Sequence, residues 1–137
     1  LRILLAGCWS SAPAPVSSAA TPASPYVQIA GRWTGTGEQV DDTTWPVEIT
    51  LRADAPVGQP VGTVEYPSFH CGGDLIRNRE EGNTLVVVER LTRNRDGVCI
   101  DAGTIKCPRY VFGTTVTCRW FWPGETKSDA EARLSRE

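Results

Sequence analysis

From Tyr26 onward, apolar and polar residues alternate along much of the chain with a period of two. Trp45-Pro46-Val47-Glu48-Ile49-Thr50-Leu51-Arg52 shows it most plainly: Val47, Ile49 and Leu51 fall on one face, Glu48, Thr50 and Arg52 on the other. That period predicts a strand with one buried side. Before it, Gly31 to Gly37 is built of glycine, threonine and an aromatic, a texture that suits a strand and not a helix. Asp41-Asp42 supplies the turn between the two. Ala53 to Pro60, with two prolines and a glycine, reads as the following loop. A third strand runs from Val61 to Tyr66 and stops at Pro67. Phe69 to Asp74 then leads into a short strand from Leu75 to Asn78.

Glu80-Glu81-Gly82-Asn83 reads as a hairpin turn, with Gly82 and Asn83 tolerating positive φ. Thr84 to Leu91 is the most β-branched run and predicts a central strand, with Thr92 to Gly97 as the next turn. Val98 to Ile100 and Gly103 to Cys107 make one broken strand or two short ones. Thr114 to Trp122 is a strand ended by Pro123-Gly124, with Val116, Cys118, Trp120 and Trp122 on one face. In the polar tail, 127–137, Ala132 and Leu134 alternate with Arg133 and Ser135, which favours a closing strand. The alternative is a short helix capped by Ser128-Asp129-Ala130-Glu131. The sum is an all-β chain of about eight short strands at turn-marked intervals. Such an antiparallel meander is expected to close into a small barrel or a sandwich, which removes or shields its edges.

The first 25 residues have a different texture. Residues 9–25 carry no charge and four prolines, so they offer little to bury and read as an extended tether. Ahead of them Leu5-Ala6-Gly7-Cys8 follows the apolar Ile3 and Leu4 and the basic Arg2. The stretch resembles the lipobox of bacterial lipoproteins: a branched apolar residue, two small ones, then a cysteine. The resemblance implies that residues 1–7 are the remnant of a signal peptide. It implies that Cys8 becomes the first mature residue and carries acyl chains, palmitate included, that anchor the protein to the outside of the bacterial cell membrane. An ordinary secreted protein is the alternative. The organisation expected is thus 1–7 signal remnant, 8–25 acylated cysteine and tether, and 26–137 a single β domain.

Composition narrows the partners. The formal net charge is −2, and loss of Arg2 takes it one unit further, so no basic surface of the kind that binds nucleic acid is expected. No run approaches the ~20 apolar residues of a membrane-spanning helix; membrane attachment is expected only through lipid on Cys8. The domain is expected to be a monomer without a cofactor.

Of the five cysteines, four remain once Cys8 is set aside, an even number that fits two disulfides. If the turn lies at Gly113, Cys107 and Cys118 face each other across a hairpin. Cys71–Cys99 follows by exclusion and contributes roughly 3–4 kcal/mol by chain entropy. A zinc site lacks both a Cys-x-x-Cys knuckle and a second histidine beside His70.

Catalytic sets are hard to assemble. Phe69-His70-Cys71-Gly72-Gly73-Asp74-Leu75-Ile76 superficially resembles the N-terminal segment of chymotrypsin-like proteases, but the chain has one histidine in total and no Gly-Asp-Ser-Gly-Gly. Asp41-Asp42 and Glu80-Glu81 fall in predicted turns, where charge is usually solvated. Gly35-Thr36-Gly37 lacks the helix and lysine of a phosphate loop. An enzyme is therefore not expected. The aromatic set Trp33, Trp45, Trp120, Phe121 and Trp122 is large for so small a domain. These rings either fill the core or line a pocket or partner surface.

Gly31-Arg32-Trp33 resembles the Gly-x-Trp start of lipocalins and avidins, which implies a barrel of their kind with Gly62-Thr63-Val64-Glu65 on a later strand. More broadly, the order Gly-x-Trp, Val-Gly-Thr-x-x-Tyr-Pro, Cys-Gly-Gly-x-Leu and a later cysteine is similar to an uncharacterised small extracellular bacterial domain. That domain occurs on lipoproteins and on the outer ends of some receptor kinases. The resemblance implies surface sensing or binding of a small ligand or envelope component, with Trp33, Trp45, His70, Trp120 and Trp122 as candidate binding residues. Two alternatives stand beside it. An inhibitor of a lysozyme or protease would act through a protruding loop, here Phe69 to Asp74. A structural component of an envelope complex would show an exposed apolar patch. A hollow barrel favours the first reading and a filled one with a rigid loop the second.

Overall fold

The computed structural model of the protein describes residues 26–52 and 55–137. Its strands are β1 (Tyr26–Gln28), β2 (Gly31–Gln39), β3 (Thr44–Leu51), β4 (Pro60–Tyr66), β5 (Cys71–Glu81), β6 (Thr84–Asn94), β7 (Thr104–Pro108), β8 (Tyr110–Phe112), β9 (Thr115–Phe121) and β10 (Ala130–Arg136). A 3-10 turn, Pro67–Phe69, joins β4 to β5. Eight strands close an antiparallel barrel in the order β10-β2-β3-β4-β5-β6-β7-β9. The chain follows this order as a meander, and β10 closes the ring by pairing with both β9 and β2. β8 steps out of it to pair with β1 as a separate ribbon.

Alternation explains the walls. In β3 the buried residues are Trp45, Val47, Ile49 and Leu51; in β10 they are Ala130, Ala132 and Leu134. Residues 127–137 thus end in a strand, and Ser128 to Glu131 caps no helix. Three other expectations change. β5 begins at Cys71, not Leu75, because Gly72 and Gly73 pair with β4 on one side and β6 on the other. A Cβ on Gly73 would stand 2.1 Å from the Arg90 carbonyl oxygen, so only glycine lets the strands approach there. Cys71 to Asp74 is therefore sheet and not a protruding loop, which leaves Phe69 and His70 in the connection. Val98 to Ile100 is not a strand but part of the long β6–β7 connection. In the β5–β6 hairpin only Gly82 adopts positive φ (59°).

The antiparallel order sorts the connections into two ends. The β2–β3, β4–β5, β6–β7 and β9–β10 connections crowd one end, called here the upper. The β3–β4, β5–β6 and β7–β9 connections and the β1–β8 ribbon lie at the lower end. The lower end is plugged. Trp33 is fully buried and its Nε1 donates to the Ile29 carbonyl at 2.7 Å. The Arg136 guanidinium stacks 4.5 Å from the Trp33 ring centre and donates to the Ala30 and Gln28 carbonyls. Above this plug, Ile49, Leu75, Ile105 and Leu134 fill the middle of the barrel.

Both expected disulfides form, Cys71–Cys99 and Cys107–Cys118. The β7–β9 register pairs Lys106 with Arg119, and one further step brings Cys107 opposite Cys118, Cα to Cα 4.5 Å. The hairpin register survives although β8 leaves the sheet between them. Cys71–Cys99 ties the start of β5 to the β6–β7 connection at the upper end.

Candidate binding site

The upper end is open. A cavity of about 310 Å³ enters the barrel there, near the small end of the roughly 300–1,000 Å³ typical of ligand pockets. Four strands aim side chains into it by their two-residue period. Trp45 continues the inward row of β3, Tyr66 that of β4 after Val64, and Trp120 that of β9 after Val116 and Cys118. On β6 the inward row reads Leu85, Val87, Glu89, so a carboxylate occupies a core position and is only 6% exposed.

These side chains form one network. Trp120 Nε1 donates to the Tyr66 hydroxyl at 2.7 Å, and that hydroxyl donates to Glu89 Oε2 at 2.6 Å. The Trp45 ring stands nearly perpendicular to those of Tyr66 and Trp120, at centroid distances of 5.4 and 5.2 Å. A Cβ on Gly37 would lie 2.3 Å from the Trp45 ring, so that glycine makes the room the indole occupies. Two polar positions are left open. Trp45 Nε1 is buried with no hydrogen-bond partner among the described residues. No described donor reaches Glu89 Oε1, which lies 2.8 Å from where a Cβ on Gly103 would stand.

Burial pushes the Glu89 carboxyl up to about 7, with the Tyr66 hydrogen bond opposing and the nearby Asp101 charge adding to the rise. Burial, then the Glu89 charge, holds the Tyr66 phenol well above its ordinary range, so it stays a neutral donor. The mouth is formed by Phe69, by Val98 to Ile100 held through the Cys99 disulfide, and by Phe121 to Pro123 with Asp129. Asn94 steadies the Cys99 segment by bonding both its N–H and its carbonyl. Among the described residues, Glu89 and Asp129 are the charged ones lining the cavity, and no Lys, Arg or His lines it.

Of the residues singled out in the sequence, Trp45, Trp120, Phe121 and Trp122 come together here. Trp122 follows the last residue of β9 and is half-exposed at the rim. Trp33 belongs to the lower plug. His70 stands on the outer surface, its Nδ1 2.8 Å from Asp96 Oδ2, and does not line the cavity. Cys8 lies outside the described residues. In an exposed turn the Thr43 side chain, and then the Thr43 N–H that donates to Asp41 Oδ1, lower the Asp41 carboxyl. Glu80 and Glu81 end β5 and are not merely solvated: Glu80 pairs with Arg77 and Arg109, Glu81 with Arg79 and Lys106. Among the described residues no His, Cys, Asp or Glu cluster is arranged for a metal. Glu89 and Tyr66 were not among the sequence candidates; the signal was Glu89 falling on the parity of Leu85 and Val87. No family model, no curated protein and no solved structure matches this chain.

Proposed function

We propose that this protein is an extracytoplasmic binding module that takes a small ligand in the upper end of its barrel. One observation carries the reading: an open cavity walled by aromatic rings contains a buried carboxylate bonded only at Oε2, by the Tyr66 hydroxyl, and an indole N–H with no partner among the described residues. Interiors built for stability alone are close-packed, and a buried polar group without a partner costs free energy. Arg77 Nε, toward the lower end, is also buried without a partner among the described residues; at the upper end the open space, Trp45 Nε1 and Glu89 Oε1 come together. A ligand that fills the space and satisfies these groups accounts for them.

Two disulfides support an oxidising compartment. On this reading Cys8 carries the lipid and residues 9–25 are the spacer. The described residues begin in β1, at the end of the barrel opposite the cavity mouth. The test is a titration of the full chain with small aromatic amines, alcohols and carboxylates, read by tryptophan fluorescence. Saturable quenching by at least one class is expected; no response to any of them up to millimolar concentration overturns the reading.

A further inference from the structure

We propose that the ligand is a small organic cation, a protonated amine whose ammonium group sits between Glu89 Oε1 and the rings of Trp45, Tyr66 and Trp120. The inference rests on the cavity being a ligand site and adds the chemical class of what enters it. The first argument is charge. Among the described residues the ionisable side chains lining the cavity are Glu89, Asp129 and Tyr66, and no basic side chain lines it. Asp101, in the β6–β7 connection, adds a further negative charge near Glu89. Arg90, next to Glu89 on β6, points outward and pairs with Asp74. An anion entering this space meets only like charges.

The second argument is the state of Glu89. A buried carboxylate is ordinarily paired with a cation. Here its single bond is the one from the Tyr66 hydroxyl to Oε2, and Oε1 is left without a donor beside the space that Gly103 keeps clear. An ammonium has three N–H donors and can supply what Oε1 lacks. The third argument is the rings. Indole and phenol faces attract cations through their quadrupoles, tryptophan most strongly, and Trp45, Tyr66 and Trp120, packed edge to face at centroid distances of 5.4 and 5.2 Å from the Trp45 ring, line the same cavity as Glu89. The orphan Trp45 N–H suits an oxygen acceptor on the same molecule, so an amine that also bears a hydroxyl or carbonyl fits better than a bare one.

Binding is then linked to pH. A cation beside Glu89 draws its carboxyl back toward the ordinary range, so ligand uptake near neutral pH releases a proton, and affinity for an amine rises as Glu89 ionises. The other titratable groups facing this region are Asp101, Asp129 and Tyr66, and the Tyr66 phenol, held well above its ordinary range by burial, stays neutral.

The experiment is calorimetric titration of the full chain with three molecules of one shape: benzylamine, benzyl alcohol and benzoate. At about pH 8, benzylamine is expected to bind at least tenfold more tightly than the alcohol, the size of a charge-assisted hydrogen bond with ring attraction. Benzoate is expected to be weakest. Lowering the pH to about 5.5 should weaken benzylamine several-fold and leave the alcohol unchanged. Glu89→Gln should bring amine and alcohol within about twofold of each other; the wild-type comparison decides even if that variant fails to fold. If the alcohol or benzoate binds as well as the amine, the cation is refuted while the cavity remains a ligand site. If none of the three binds, the cavity reading falls and this one with it.

Discussion

Glu89→Gln separates the burial of a carboxylate from everything else in the barrel. In the folded protein the Glu89 carboxyl titrates at about 7, against 4.5 for the free side chain. Below the lower value both folded and unfolded chains hold the proton, and Glu89 imposes no charge on the core. Between the two values the unfolded chain ionises while the folded one keeps its proton, so stability is lost as pH rises. Above about 7 the loss is complete. At 1.36 kcal/mol per unit of pKa difference, the whole span is about 3 kcal/mol. Gln does not titrate, and its carbonyl oxygen can still accept from the Tyr66 hydroxyl. The difference in unfolding free energy between variant and wild type should therefore grow in favour of the variant by about 3 kcal/mol from pH 4.5 to pH 8. That corresponds to a melting temperature higher by roughly 10 °C at the alkaline end. Urea unfolding followed by far-ultraviolet circular dichroism at four pH values gives the difference curve, in which the other carboxylates cancel. A curve flat within about 0.5 kcal/mol, or one of opposite slope, would refute the reasoning, because it would mean Glu89 is solvated or already paired with a cation.

Four further outcomes follow from the same contacts. Tyr66→Phe leaves the Trp120 N–H and Glu89 Oε2 without their partner and should cost about 2–3 kcal/mol in urea unfolding; a loss under about 1 kcal/mol would mean water takes the hydroxyl's place. Opening Cys107–Cys118 with serines should cost about 3 kcal/mol and opening Cys71–Cys99 about 3.5 kcal/mol. Only the second releases the cavity rim, so only it should weaken ligand binding. Gly37→Ala places a methyl inside the Trp45 ring, and should cost about 1–3 kcal/mol and shift the Trp45 fluorescence. Cys8→Ser, expressed in a bacterium, should move the protein from the membrane fraction to the soluble one; unchanged fractionation would remove the lipid anchor from the account.

The barrel was legible because its walls alternate. Val47, Ile49 and Leu51 on β3, and Ala132 and Leu134 on β10, declare their inner face residue by residue. The β7–β9 register followed from placing a turn at Gly113. What could not be read was fixed by neighbours distant in sequence. Cys71-Gly72-Gly73 has the composition of a loop, yet pairing on both sides and the 28-residue disulfide hold it in a sheet. β1 and β8, three residues each, carry too short a pattern to stand out. In the site, three tryptophans were visible as an excess of large rings. Glu89 was visible only as an acid on the parity of Leu85 and Val87. That it meets Tyr66 and Trp120, 23 and 54 residues apart in the pairings that link them, depends on closing the barrel.

The most direct measurement of the central claim uses the tryptophans themselves. The chain has five, and each indole N–H gives its own signal in a nitrogen–proton correlation spectrum. On titration with benzylamine, the Trp45 and Trp120 signals should move most, Trp122 at the rim less, while Trp33, bonded to Ile29 in the plug at the far end, stays fixed. Movement of Trp33 with Trp45 unmoved, or no movement at any of them, would contradict a cation site at the upper end of the barrel.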